Sequence, residues 1–478
     1  MSIDIDRELA EKAMNKALDS GAHYAEARLE VVKASSLVMK NGNPEISGFE
    51  RTAGMSIRVL VNGSLGFAST DQLAGMNTFE CAEAAVRMAK AASGLTKVPI
   101  ELSSEEAHVA EYEVDQKKRV GDAGPEEMMD VLKHIDRAMV DTAPMASRFL
   151  QVYAEERTKY YANSDGSRIG SHIPRVGMFL IPTIMEGGMV SQAMLQKGVS
   201  MGWEWADPVR LADEIGREIK VTYDNMKHGV KPPTGKIDLL LGPEVVGIAA
   251  HESCGHPYEA DRIAGREAAQ AGESFIDQGM LGTRIGSEVA TVIDDPTIEN
   301  SYGYYLYDDE GVKARPKVLI KNGVINEFLH NRETAVEMGI GQSNAAARAD
   351  NFNREPIVRM SNTFVEPGDR SKEELFEGVK LGVYMNNFME WNIDDKRFNQ
   401  RYIGREAYLI ENGEMKGPVK APILEMTTPA FWAAIDAVAN DLDFTSATCG
   451  KGEPGQGVPV YTGGPSIRLR DVRLGVSQ

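Results

Sequence analysis

The chain has 478 residues, with 71 Asp and Glu against 52 Lys and Arg, a formal net charge of −19. That balance, with no clustered Lys and Arg, argues against binding to a phosphate backbone, and no apolar run is long enough to span a membrane. Three cysteines, Cys81, Cys254 and Cys449, are too few and too scattered for a disulfide framework, which points to a reducing, cytoplasmic setting.

A chain of this length exceeds one compact core. An amphipathic helix is predicted over Arg7 to Leu18, with Gly21 as its stop. The period then changes to two. Strands are expected at Ala25 to Val32, Ser36 to Lys40 and Ser56 to Val61, turned by Asn41-Gly42 and Asn62-Gly63. A second helix follows over Thr78 to Ala92. Leu102 to Gly124 is Glu-rich and weakly patterned, and reads as a surface linker before a helix opened by Pro125-Glu126-Glu127. Further strands are predicted at Arg148 to Ala154, Thr158 to Tyr161 and Gly177 to Ile184, with Asn163-Ser164-Asp165-Gly166 as a turn. Pro208 to Met226 reads as one more helix.

Gly229 to Gly235 holds paired prolines between glycines, through which no regular element continues. The main division is placed there, giving an α+β protein with an α/β N-terminal domain over 1–230 and a β-rich C-terminal domain over 236–478. Ile237 to Leu241 is a predicted strand, and Gly242-Pro243 starts a helix. Hairpin signals follow at Asn322-Gly323 and Asn412-Gly413, flanked by Val318-Leu319-Ile320, Val324-Ile325, Tyr408-Leu409-Ile410 and Val419.

The helix from Glu244 has a buried composition and runs into His251-Glu252-Ser253-Cys254-Gly255-His256. Histidines four apart share a helix face and bind one metal, while an intervening Glu acts as general base. Here they are five apart, and at about 100° per residue a straight helix aims them about 140° apart. An inserted π-bulge brings His256 back to the face of His251, and Gly255 and Pro257 favour leaving regular helix at that point. A third ligand is needed. Glu259, Asp261, Cys254 and Cys449 are the candidates. Cys449, in Thr448-Cys449-Gly450-Lys451, is the best remote one, with Lys451 placed to favour the thiolate. Glu259 and Asp261 are alternatively carboxylates that orient the imidazoles, and Cys254 suits core packing. His23, His108, His134, His172, His228 and His330 receive no role. Asp294-Asp295 and Asp308-Asp309-Glu310 lack EF-hand spacing and read as turn and surface carboxylates. The glycine-rich stretch from Gly450 to Gly464 has no phosphate-loop pattern.

Taken together, several blocks resemble the TldD/PmbA family of metalloproteases, once called modulators of DNA gyrase. They are His251-Glu252-x-x-x-His256 with Glu259 and Asp261, then Asp294-Asp295, Asp308 to Gly311, Leu319 to Val324 and Arg359 to Thr363 with Pro367-Gly368. Cys449-Gly450-Lys451 with Gly455-Gln456-Gly457 and Pro459-Val460 completes the set. The resemblance covers nearly the whole chain. It implies an α/β N-terminal domain and a β-rich C-terminal domain, paired across a dimer that encloses the active site. It further implies one Zn²⁺ held by His251, His256 and Cys449, with Glu252 as the base. Keeping every ligand, the chain is similar to the active TldD type, whose partner is a second copy or an inactive TldE/PmbA-type paralogue. The expected activity is hydrolysis of peptide bonds in small or unfolded peptides. Two other readings are a non-catalytic peptide-binding or regulatory protein with a structural metal, and a non-peptidase metallohydrolase.

Overall fold

The structure, a computed structural model, describes residues 5–267, 272–452 and 455–476. Helix α1 (Arg7–Asp19) starts where the Asp6 side chain accepts the Leu9 N–H, satisfying a donor that the first turn leaves unpaired. Strands β1 (Tyr24–Lys40), β2 (Asn43–Val61) and β3 (Ser64–Thr70) follow as a meander, then α2 (Gly75–Ser93). After β4 (Val109–Glu113) and α3 (Pro125–Thr142) come β5 (Met145–Asn163), β6 (Arg168–Glu186), β7 (Met189–Gln192) and β8 (Leu195–Val199). Helix α4 (Pro208–His228) ends this part.

The eight strands form one sheet in the order β3-β2-β1-β5-β6-β4, with β7 and β8 both on β6. Its strands are long. The segments expected separately at Ala25 to Val32 and Ser36 to Lys40 are one strand, as are those at Arg148 to Ala154 and Thr158 to Tyr161. The expected linker from Leu102 to Gly124 supplies β4, which pairs in parallel with β6. Odd-numbered β1 residues pack under helices: Ala25, Ala27 and Leu29 join the α1 and α2 core, whereas Leu37 and Met39 join that of α3 and α4.

The even-numbered face of β1 is charged and nonetheless buried, with Glu26, Arg28 and Glu30 at most 4% exposed. It meets a loop of the second half. Glu310 accepts from Arg58 at 2.6 Å and Asp309 from Lys159 at 2.7 Å, while Asp308 accepts the backbone N–H groups of Glu310, Val312 and Ala347. Asp294 is likewise buried, 2.9 Å from Lys317 Nζ and bonded to Ser361 and Thr363. The surface reading of these carboxylates is therefore wrong. They are buried because cations on other elements and aligned N–H groups replace water around them.

The second half opens with β9 (Lys236–Leu241) and α5 (Pro243–Ala250), followed by α6 (Ala260–Ile263), β10 (Val292–Asp294), β11 (Lys317–Lys321) and β12 (Val324–Ile325). Then come α7 (Arg332–Glu337), β13 (Ala347–Arg348), β14 (Ile357–Val358), β15 (Asn362–Val365), β16 (Leu381–Ile393) and β17 (Asn399–Glu411). The last elements are β18 (Glu414–Pro418), β19 (Pro422–Thr427), α8 (Thr428–Ala434), β20 (Ile435–Val438), β21 (Asp443–Lys451), β22 (Gln456–Gly464) and β23 (Ile467–Val476). One sheet runs β12-β11-β10-β15-β22-β21. A second closes on itself, because β16 pairs with β9 and β17, and β23 and β19 link those two. The protein is thus α+β with a β-rich second half. No helix among the described residues is long and apolar enough to cross a membrane.

Helix α5 lies directly on β22. A Cβ added at Gly247 would stand 2.6 Å from Gly463 N and 2.7 Å from the Thr462 carbonyl carbon. Gly247→Ala should therefore lower stability by about 1–3 kcal/mol, the usual range for overpacking, as read by urea unfolding. Gly417→Ala, whose added Cβ meets nothing within 4 Å, serves as the control, and equal midpoints for the two variants would contradict the account. The junction between the halves gives a second expectation. Burial pushes the Glu155 carboxyl up, but Arg157 and Arg175 outweigh it and hold it at about 2. These two arginines also donate to the Asp350 and Tyr302 carbonyls. A carboxyl depressed on folding contributes stability above its unfolded value that is lost as pH falls through the folded one. The stability gap between wild type and Glu155→Gln should therefore narrow as pH drops from about 4.3 toward about 2. A gap that widens in acid would contradict the assignment.

Candidate metal centre

Pro243 occupies the first turn of α5, where its missing N–H costs nothing. Val245, Val246, Ala249 and Ala250 are buried along the helix. From His251 to Gly255 the helix widens into a π-turn, and the His256 N–H donates to the His251 carbonyl five residues back. The extra residue is absorbed there. The two imidazoles stand with ring centroids 4.9 Å apart and planes at 81°. Pro257 follows in a short 3-10 turn over His256–Tyr258. Gly255 has an ordinary helical φ of −54°. It is glycine for a different reason from the one its sequence suggests: a Cβ there would lie 1.9 Å from Met360 Sδ.

Cys449 arrives from β21, paired with Val458 of β22. Its Sγ is 3.3 Å from His251 Nε2 and 3.4 Å from His256 Nε2. All three donor atoms lie within 4.8 Å of one another, and all three residues are buried. For Zn–S near 2.3 Å and Zn–N near 2.05 Å at a tetrahedral angle, sulfur and nitrogen stand about 3.6 Å apart. The donor set thus fits a zinc-sized ion in spacing and in softness.

Electrostatics prepare the same donors. Burial lowers the titration of both His251 and His256, which favours neutral rings with a lone pair to give. His256 Nδ1 is 3.1 Å from Glu259 Oε2, and donation of that N–H to the carboxylate leaves Nε2 as the donor atom toward Cys449. Burial pushes Glu259 up, but Lys451, His256 and Arg262 hold it well below the usual carboxylate range. Burial also pushes the Cys449 thiol up, and here His256 and the Arg359 guanidinium prevail and lower it.

Of the residues singled out in the sequence, His251, Glu252, His256 and Cys449 come together, and Glu259 orients His256. Asp261 turns away and pairs with Lys451 at 2.7 and 2.9 Å. Cys254 packs in the core, where burial raises its thiol well above the ordinary value. Lys451 is occupied by Asp261 and the Val358 carbonyl; the cation bonded at Cys449 is Arg359, which donates to the Cys449 and Gln456 carbonyls. Sequence reading missed two arginines. Arg359 heads the block Arg359 to Thr363, but nothing in its spacing ties it to the cysteine. Arg397 donates to Glu252 Oε2, from a loop with no motif around it.

The centre forms part of the wall of a cavity of about 750 Å³. His251, Glu252, His256, Cys449 and Arg397 are among its lining residues, and Phe179, Met194 and Trp205 line it from the first half of the chain. A buried donor set beside a carboxylate, opening on a roomy cavity, is suited to metal-assisted proton transfer.

Comparison with known proteins gives the same order of parts. Family models described as PmbA/TldA metallopeptidase domain 1, central domain and C-terminal domain match residues 25–93, 118–222 and 234–476. A metalloprotease of Methanothermobacter thermautotrophicus is 32% identical, covering 96% of each chain. A zinc metalloprotease TldD homolog of Saccharolobus solfataricus is 26% identical over 97% of this chain and 99% of its own. The crystal structure of TldE from Thermococcus kodakarensis shares the fold, with a TM-score of 0.75 at 19% identity over 98% of this chain and all of its own. On these matches, the chain belongs to the PmbA/TldD metallopeptidase family.

Proposed function

We propose that the chain is a zinc-dependent peptidase that hydrolyses peptide bonds in small or unfolded peptides in the cytoplasm. It would act as a homodimer or with an inactive TldE/PmbA-type paralogue whose surface helps to enclose the cavity. The observation that carries this reading is the convergence of two Nε2 atoms and one thiol at the cavity wall, with Glu252 beside them. The name of the Saccharolobus relative supports zinc, and likeness to TldE supports the paired assembly. Three protein donors leave a position for water or substrate, as in catalytic rather than structural sites.

His251, His256 and Cys449 would hold the ion, which supplies Lewis acidity to polarise the scissile carbonyl and acidify water. Glu252 takes the proton of the attacking water and returns it to the leaving amine. Glu259 keeps His256 in the tautomer that donates from Nε2. The aromatic side chains of Phe179, Trp205 and Trp391 line the cavity and give an apolar wall for substrate side chains. A volume of about 750 Å³ accommodates a short stretch of chain and excludes a folded domain.

Glu252→Gln should keep its zinc, measured by elemental analysis, and lose about 10²–10⁴-fold in kcat on a fluorogenic unstructured peptide. Cleavage by that variant at the wild-type rate would contradict the proposal.

A further inference from the structure

Arg397 stands 145 residues from Glu252 in sequence and donates to its carboxylate. Both side chains are largely buried, with Glu252 4% and Arg397 8% exposed. Among the other buried arginines near the centre, Arg348 and Arg359 spend donors on the carbonyls of Met360, Pro459, Cys449 and Gln456, and Arg262 pairs with Glu259 and Glu267. Of the four, Arg397 donates to the Glu252 carboxylate.

The backbone is arranged for that contact. Arg397 has φ +63°, a left-handed conformation that a long side chain seldom adopts and that concentrates at functional sites. The turn between β16 and β17 enforces it. The Arg397 N–H donates to the Asp394 carbonyl at 2.9 Å, and the Asp394 carboxylate accepts the N–H groups of Phe398 and Asn399. Thr428 Oγ1 donates to the Arg397 carbonyl at 2.8 Å. A turn this heavily bonded fixes where the guanidinium sits.

Resting on the peptidase reading above, we propose that Arg397 is the positioning residue for Glu252, holding Oε2 so that Oε1 is presented to the attacking water. The bond holds Oε2, and Oε1 is left as the atom that receives the proton. Arg397 acts through Glu252 and is not itself a proton carrier, because a guanidinium stays charged throughout.

The test compares R397A, R397K, E252Q and R397A/E252Q in the full-length protein, each assayed for zinc content, kcat and KM on an unstructured fluorogenic peptide. R397A should keep its zinc, lose about 100-fold or more in kcat and keep a KM near that of wild type. Added ethylguanidine should restore part of its kcat but none in R397A/E252Q. R397K, which keeps the charge without the planar fork, should lie between wild type and R397A. The proposal is overturned by wild-type kcat in R397A, by a loss confined to KM, by a loss that ethylguanidine does not relieve, or by loss of zinc together with activity. Should R397A fail to fold, R397K decides, with wild-type kcat overturning the proposal and lowered kcat at full zinc supporting it. If E252Q itself cleaves at the wild-type rate, the peptidase reading fails; an inactive E252Q beside a fully active R397A sinks only the role of Arg397.

Discussion

Helix α5 and the turn that follows it can lie against the sheet only because glycines stand where side chains would hold them apart. A Cβ at Gly247 would collide with the β22 backbone, one at Gly464 would lie 2.5 Å from Val246 Cγ1, and one at Gly255 would overlap Met360. Those contacts fix the helix against the strand that pairs with Cys449. Once the helix is seated, the π-turn rotates His256 back beside His251 and completes a three-donor cluster from residues 193 and 198 positions apart. The fifth residue of the motif is thus the adjustment that lets a helix pressed onto a sheet aim both rings at a thiol on a neighbouring strand.

The same packing buries the side chains of the centre, and burial sets their electrostatics. Burial lowers the titration of both imidazoles, and each buried carboxylate around them has acquired a cation: Glu259 has Arg262 and Lys451, Asp261 has Lys451, and Glu252 has Arg397. Removing one member of such a pair leaves the other uncompensated, which typically costs about 3–5 kcal/mol. The junction of the two halves follows the same rule, with Glu310 on Arg58 and Asp309 on Lys159. Buried charge therefore fixes both the centre and the seating of the first half, which contributes residues to the cavity lining.

Much of this was legible in the sequence. Sequence reading located α1, α2 and α4 to within a few residues and the start of α3, and Asn-Gly pairs marked the hairpins. The odd spacing of His251 and His256 led to a π-bulge on geometric grounds, and Cys449 stood out among remote ligands. What escaped has a common cause. Alternation of apolar and charged residues in β1 is the pattern of a strand with one wet face, and nothing local reports that Glu26, Arg28 and Glu30 meet another part of the chain. Asp308, Asp309 and Glu310 looked like surface residues for that reason. The contacts of Arg397 and Arg359 escaped, although Arg359 heads a named block, because a guanidinium reaches its partner through tertiary structure, with no spacing rule to betray it. Gly255 was noticed, but its reason, the sulfur of Met360, lies 105 residues away in sequence.

The central claim is that two imidazoles from a widened helix and one thiolate from a distant strand hold the same ion. X-ray absorption at the zinc edge of the purified protein tests it most directly. The account predicts one sulfur near 2.3 Å and two imidazole nitrogens near 2.0–2.1 Å, with the sulfur shell lost in Cys449→Ala. A first shell of nitrogen and oxygen only in the wild-type protein would contradict it.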